Sequence, residues 1–231
     1  MTSSLHSLSF GAQDPGRLAT FWGAILHRDV DGTTLLPSDH EEIPIRFVQS
    51  DVPKVEPNQM HFDTTTTSWD DQTATVAKVI SLGGRKLAFD LPPDELHVPM
   101  SDPEGNEFCV IEPVNNFLKD TARIGAFSSD GSQEEGYFWS AALDWPLVWD
   151  QDEETAIQSP LGGSKISWGG PPLDVRTTTT RLHFNLAPGG ERLAEIDRLV
   201  SLGADRCDAT ACDSDWTAMT SPDGHPFCVT V

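Results

Sequence analysis

Two histidines in this chain stand two residues before a polar side chain, in His61-Phe62-Asp63 and in His183-Phe184-Asn185. Two cysteines lie in matching contexts. Cys109 falls within residues 101–113 (SDPEGNEFCVIEP), and Cys228 within residues 220–231 (TSPDGHPFCVTV). A His beside a Cys supports two chemistries. The imidazole can draw a proton from the thiol and make a nucleophile or redox thiolate, or both side chains can ligate a soft-tolerant ion such as Zn²⁺. The bland alternatives are a cup-lining histidine bonded to its surroundings and a small, semi-polar cysteine filling a pocket floor. Asp63 could orient His61 or act as a general base. Asn185 cannot, so the two sites are not chemically equivalent.

Each of these residues must be presented by a strand, because side chains alternate between the two faces of a strand. That parity puts His61 with Asp63, and Glu107 with Cys109 and Ile111. Phe62, Phe108, Phe184 and Phe227 then point the other way, into a core. If the parity holds, His61 and Cys109 face one cavity and His183 and Cys228 another. Around the strands, Pro and Gly in DPEGN and SPDGH mark tight turns. Leu18, Phe21, Trp22 and Ile25 predict a helix ending near His27, after an Asp14 cap and a Pro15 first turn. Further helices are expected over residues 70–82, 132–143 and 191–202. Trp22 and Trp139 lie on helical stripes and read as core. His97 and Trp216 precede the last hairpin of each half, and Trp168 lies in a strand. These three are candidates for lining a cup, with packing between domains as the alternative.

The element order β-α-β-β-β occurs twice in each half of the chain, and the halves correspond piece by piece. Phe21-Trp22 matches Phe138-Trp139, Ser81-Leu82-Gly83 matches Ser201-Leu202-Gly203, and the offsets run from 117 to 122 residues. A tandem duplication explains this. The expected division is residues 1–113, a linker over 114–123, and residues 124–231. The tract RTTTTR (176–181) reads as β-prone or edge sequence.

Composition narrows the function classes. The 231 residues carry 36 Asp and Glu against 15 Lys and Arg, a formal charge of −21. Such a polyanion repels nucleic acid and anionic membrane. No apolar run is long enough to cross a bilayer, and the first residues lack the pattern of a secretory signal. A cytoplasmic location is therefore expected, with the four cysteines reduced and Cys207 and Cys212 either paired or free. There is no Gly-rich phosphate loop, HExxH, GxSxG or paired CxxC.

The set DPGRLATFW, MHFD or LHFN, a helix ending SLGG or SLGA, and DPEGNEFC resembles the vicinal oxygen chelate superfamily of glyoxalases, bleomycin-resistance proteins and extradiol dioxygenases. The resemblance is closest to its actinobacterial glyoxalase-like branch and covers nearly the whole chain. It implies an α+β fold of four βαβββ modules in two glyoxalase-like domains, with curved mixed sheets forming cups and helices outside. It also implies metal-ligand positions, and these are only partly kept. His61 and His183 match one ligand, but Cys109 and Cys228 stand where a Glu is usual, and the first-strand position near Ser7 has no strong ligand. The expected function is therefore a metal-independent protein whose cup binds an organic metabolite or antibiotic. The alternative is a lyase, isomerase or dioxygenase-like enzyme using a metal or a His/Cys pair. Expected ligand-binding residues are His61, Asp63, His97, Cys109, Trp168, His183, Asn185, Trp216 and Cys228. No cofactor is expected; if a divalent metal binds, His61, Cys109, His183 and Cys228 would hold it. A small organic molecule is the expected partner, and a monomeric pseudo-dimer the expected assembly, because a fused pair has a high effective concentration.

Overall fold

The computed structural model describes residues 2–89, 92, 95–174, 180–208 and 212–231. Most of the RTTTTR tract lies outside these.

The first module comprises β1 (Ser4–Ala12), α1 (Pro15–Leu26), β2 (Val30–Asp31), β3 (Thr34–Leu35) and β4 (Ile45–Gln49). The second comprises β5 (Met60–Thr64), α2 (Trp69–Ser81), β6 (Arg85–Lys86), β7 (Val98–Ser101) and β8 (Glu107–Val110). The third contains β9 (Ile124–Ser129), α3 (Gln133–Leu143), β10 (Leu147–Gln151), β11 (Glu154–Ser159) and β12 (Gly162–Trp168). The fourth contains β13 (Leu182–Ala187), α4 (Arg192–Ser201), β14 (Asp205–Arg206), β15 (Thr217–Thr220) and β16 (Pro226–Val229). The four-module α+β architecture is thus the one the sequence predicts.

The helices start and stop for identifiable local reasons. Asp14 accepts the Arg17 N–H and Pro15 opens α1, which ends at His27 in the left-handed region (φ 57°). Ser132 caps α3 through the Glu135 N–H, and α3 ends at Asp144 with the same left-handed φ of 57°. Only half of a capping box forms at the start of α3. The Glu135 carboxylate turns inward to the Trp139 indole N–H (2.8 Å) and the Asp223 N–H, and Asp223 takes the Ser132 N–H instead.

The modules assemble into two eight-stranded mixed sheets, ordered β10-β11-β12-β9-β5-β8-β7-β6 and β14-β15-β16-β13-β1-β4-β3-β2. Each sheet joins one module from each half of the sequence. The second and third modules meet through the antiparallel pair β5–β9, and the first and fourth through β1–β13. Within a half, modules meet through helix and turn. Glu104, in the turn before β8, accepts the N–H groups of Gln13 and Asp14 at the start of α1, while Asp102 accepts the Trp22 indole N–H. Asp223 grips Ser132 at the start of α3 in the equivalent way.

The core follows from strand parity. Phe10, Phe62, Phe127 and Phe184, from the first strand of each module, form a continuous edge-to-face series with centroids 5.8, 5.5 and 5.5 Å apart. Trp22 packs on Phe62 and Phe108 at 4.9 and 4.8 Å, and Trp139 on Phe184 and Phe227 at 5.6 and 5.3 Å. All four predicted phenylalanines are buried against the helices. The opposite sheet faces are left to build the cups.

Candidate functional site

Register across the β5-containing sheet aligns His61, Ser128, Ser167, Ala156 and Trp149, one residue from each of five successive strands. Directly opposed residues share a face, so this row forms the floor of one cup. The next row holds Cys109, Asp63, Ala126 and Lys165. Over the first of these rows lies a cavity of about 580 Å³, bordered also by Gln59, Phe117, Asp130, Glu154 and Asp174. The rings of Phe117 and Trp149 meet edge to face at 6.1 Å. Phe117 comes from the segment expected to be only a linker, and the Lys165 ammonium lies 4.3 Å from its ring centre.

Asp63 is the hub of the polar floor. Its carboxylate accepts the Ser128 hydroxyl (2.5 Å), and His61 Nε2 lies 3.5 Å away. Ser128 in turn meets Ser167 at 3.2 Å. Burial opposes charging His61, but the Asp63 hydrogen bond and the charges of Asp63 and Glu107 outweigh it, and the imidazole is held above the ordinary histidine value. Cys109 behaves in the opposite way. Burial first, then the Asp63 charge and hydrogen bond, then Glu95 and Glu112, push its thiol far up. A thiol so placed stays protonated, which removes the nucleophile needed for His/Cys chemistry.

The donor atoms of His61, Asp63 and Cys109 lie within 4.8 Å of one another, close enough to meet at one ion. Their chemistry fits an ion poorly. Asp63 already serves His61, Cys109 and Ser128, so a metal would have to break those contacts and strip the Cys109 proton.

The floor of the second cup is buried among the described residues. Asn185 donates to Ser7 and Ser9, each at 2.9 Å, and is fully buried. Cys228 lies opposite Asn185, and it forms a disulfide with Cys212, with the Cα atoms 5.8 Å apart. The expectation of reduced thiols, and of a free Cys228 able to bind a ligand or metal, is corrected here. The chain after β14 brings Cys212 to the cup-facing side of β16, and Cys109 and Cys207 remain free. Trp216 is covered by the Arg46 guanidinium (4.9 Å), which is itself paired with Asp213 at 2.9 Å, and by His6 at its edge. His183 is only 4% exposed, and its Nε2 has no hydrogen-bond partner among the described residues. Burial first, then the Arg46 charge, push it down to about 4.

This has a measurable consequence. A His that is neutral in the fold but titrates near 6.5 when unfolded stabilises the protein fully only above that value. The contribution is lost as pH falls from about 6.5 toward about 4. His183→Gln is expected to flatten this acid arm of a denaturation-midpoint profile. An arm as steep as that of the wild type would mean that His183 does not carry the effect.

Of the nine residues expected to bind a ligand, the structure brings His61, Asp63 and Cys109 together in the open cup. It brings His183, Asn185, Trp216 and Cys228 together in the closed one. His97 pairs with Glu95 at 3.0 Å and does not border the cavity. Trp168 borders the cavity but is 2% exposed and belongs to the core, because its parity is opposite to that of Ser167. Sequence reasoning missed Trp149, Phe117, Ser128, Ser167, Gln59 and Glu154. Trp149 reaches the cup because of a register shift between Leu147 and Trp149, which no local sequence signal marks, and because of pairing between modules.

Two curved mixed sheets, each built from paired βαβββ modules with helices outside, define a class of cup-forming proteins with sites on the concave faces. The chain belongs to the glyoxalase-like domain family, whose model matches residues 7–111 and again residues 126–230. Glyoxalase I from Zea mays has the same fold, with a TM-score of 0.64 at 11% identity over 99% of this chain and 92% of that one. A putative dioxygenase from Bacillus subtilis is similar, at 0.63 and 11% over 99% of this chain and 84% of that one. The duplicated family match and the shared fold support the vicinal oxygen chelate superfamily. No curated protein matches the chain.

Proposed function

We propose that this protein is a metal-independent binder of a small organic molecule, a metabolite or an antibiotic, and that the His61 cup is its binding site. The observation that carries the reading is the cavity of about 580 Å³ over the His61–Ser128–Ser167–Trp149 row, with two aromatic rings at its wall and a few polar groups at its floor. Concave, partly aromatic sites of this size suit flat organic molecules. The second cup, with its buried and disulfide-bridged floor, acts as structural support. The enzyme reading is disfavoured by the protonated Cys109 and by the engagement of all three potential metal donors in the Asp63 network.

Metal independence is tested by dialysing untagged protein against a chelator and measuring both metal content and binding of small molecules recovered from a cell extract. Binding that survives with well under one equivalent of divalent metal supports the proposal. Binding that vanishes with the metal and returns with Zn²⁺, Ni²⁺, Mn²⁺ or Fe²⁺ would favour the enzyme alternative.

A further inference from the structure

Apart from His61, which is engaged by Asp63, the charged side chains around the cavity are acidic among the described residues. Glu154 and Asp174 border it, and among the described residues no Lys or Arg does. Glu154 shares its strand face with Ala156, so it is presented to the cup. Among the described residues, the side-chain carbonyl Oε1 of Gln59, a residue only 7% exposed, has no hydrogen-bond partner although Gln59 borders the cavity. A buried acceptor left without a donor costs free energy, and a ligand N–H would satisfy it.

The wall is aromatic. Trp149 and Phe117 offer aromatic faces, which attract cations. The Phe117 ring already has the Lys165 ammonium 4.3 Å from its centroid. That ammonium also donates to the Phe117 carbonyl and does not border the cavity.

We infer that the ligand of this cup is a flat organic cation: an aromatic ring system carrying a protonated amine or a permanently charged nitrogen. The inference rests on the binding reading above and goes beyond it. In this arrangement the rings stack against Trp149 and Phe117, an N–H meets Gln59 Oε1, and the positive charge lies toward Glu154 and Asp174. The fixed charges lower the affinity of an anion of the same shape.

The test uses three acridines of nearly equal size, namely an aminoacridine cation, neutral acridone and an acridine carboxylate. Each is titrated into the full chain by calorimetry, with native mass spectrometry as a check on stoichiometry. The cation should bind at least roughly tenfold more tightly than acridone, with affinity falling as salt rises, and the carboxylate should bind most weakly. Glu154→Gln combined with Asp174→Asn should reduce the ratio of cation to acridone affinity to about one, with an unchanged thermal melt showing that the variant is folded. Acridone or the carboxylate binding as tightly as the cation would overturn the charge inference and leave the binding reading standing. So would an unchanged preference in the double variant. Binding of none of the three, together with none of the cell-extract molecules, would overturn both.

Discussion

Phe62→Ala is expected to cost about 3–5 kcal/mol of stability, as is usual when a buried aromatic side chain is cut back to a cavity. The residue is 1% exposed and touches Phe10, Phe127 and Trp22 within 6 Å of its ring centre. It therefore joins three of the four modules' contributions to one core. Phe108→Ala belongs to the same class. His61→Ala, one residue away on the other face of β5, removes a side chain that is 37% exposed and is expected to leave the melting curve nearly unchanged while weakening ligand binding. Thermal and denaturant melts of the three variants check this. A stable Phe62→Ala alongside an unfolded His61→Ala would invert the faces of the strand, since a one-residue slip exchanges every inward and outward position.

Removing the Cys212–Cys228 disulfide is the second large effect. The bridge spans 16 residues, and closing a loop of that length in the unfolded chain corresponds to roughly 3 kcal/mol. Cys212→Ala should therefore lower the melting temperature, and a thiol reductant should lower that of the wild type but not of the variant. The variant also tests the division of labour between the cups, because ligand binding in the His61 cup should survive it at temperatures below the new midpoint. Loss of binding in a variant that remains folded would show that the two sheets are coupled through the shared phenylalanine series.

The repeat made the fold legible. Helix caps, Gly and Pro turns and alternating strands are local signals, and each occurred twice at nearly constant offset, so the four modules and their core faces could be read from residue types alone. Phe62, Phe108, Phe184 and Phe227 are buried as their parity requires. The chemistry was legible only within a module. His61, Asp63 and Cys109 lie on neighbouring strands of one module and were recognised together. Ser128, Ser167 and Trp149 come from a module in the other half, and their meeting with His61 depends on the β5–β9 pairing, a tertiary fact with no local signature. Trp168 shows the same limit. Its strand was anticipated, but the face it occupies was set by register against β9. The disulfide was missed because Cys212 lies in a loop, and loop sequence does not encode which strand the loop will cross.

The claim that the His61 cup binds and the His183 cup does not is tested most directly by native mass spectrometry. The wild type, Trp149→Ala and Trp216→Ala would each be incubated with the same aminoacridine. One molecule should remain bound to the wild type and to Trp216→Ala and be lost from Trp149→Ala. Retention by Trp149→Ala with loss from Trp216→Ala would contradict the account and place the site in the other sheet.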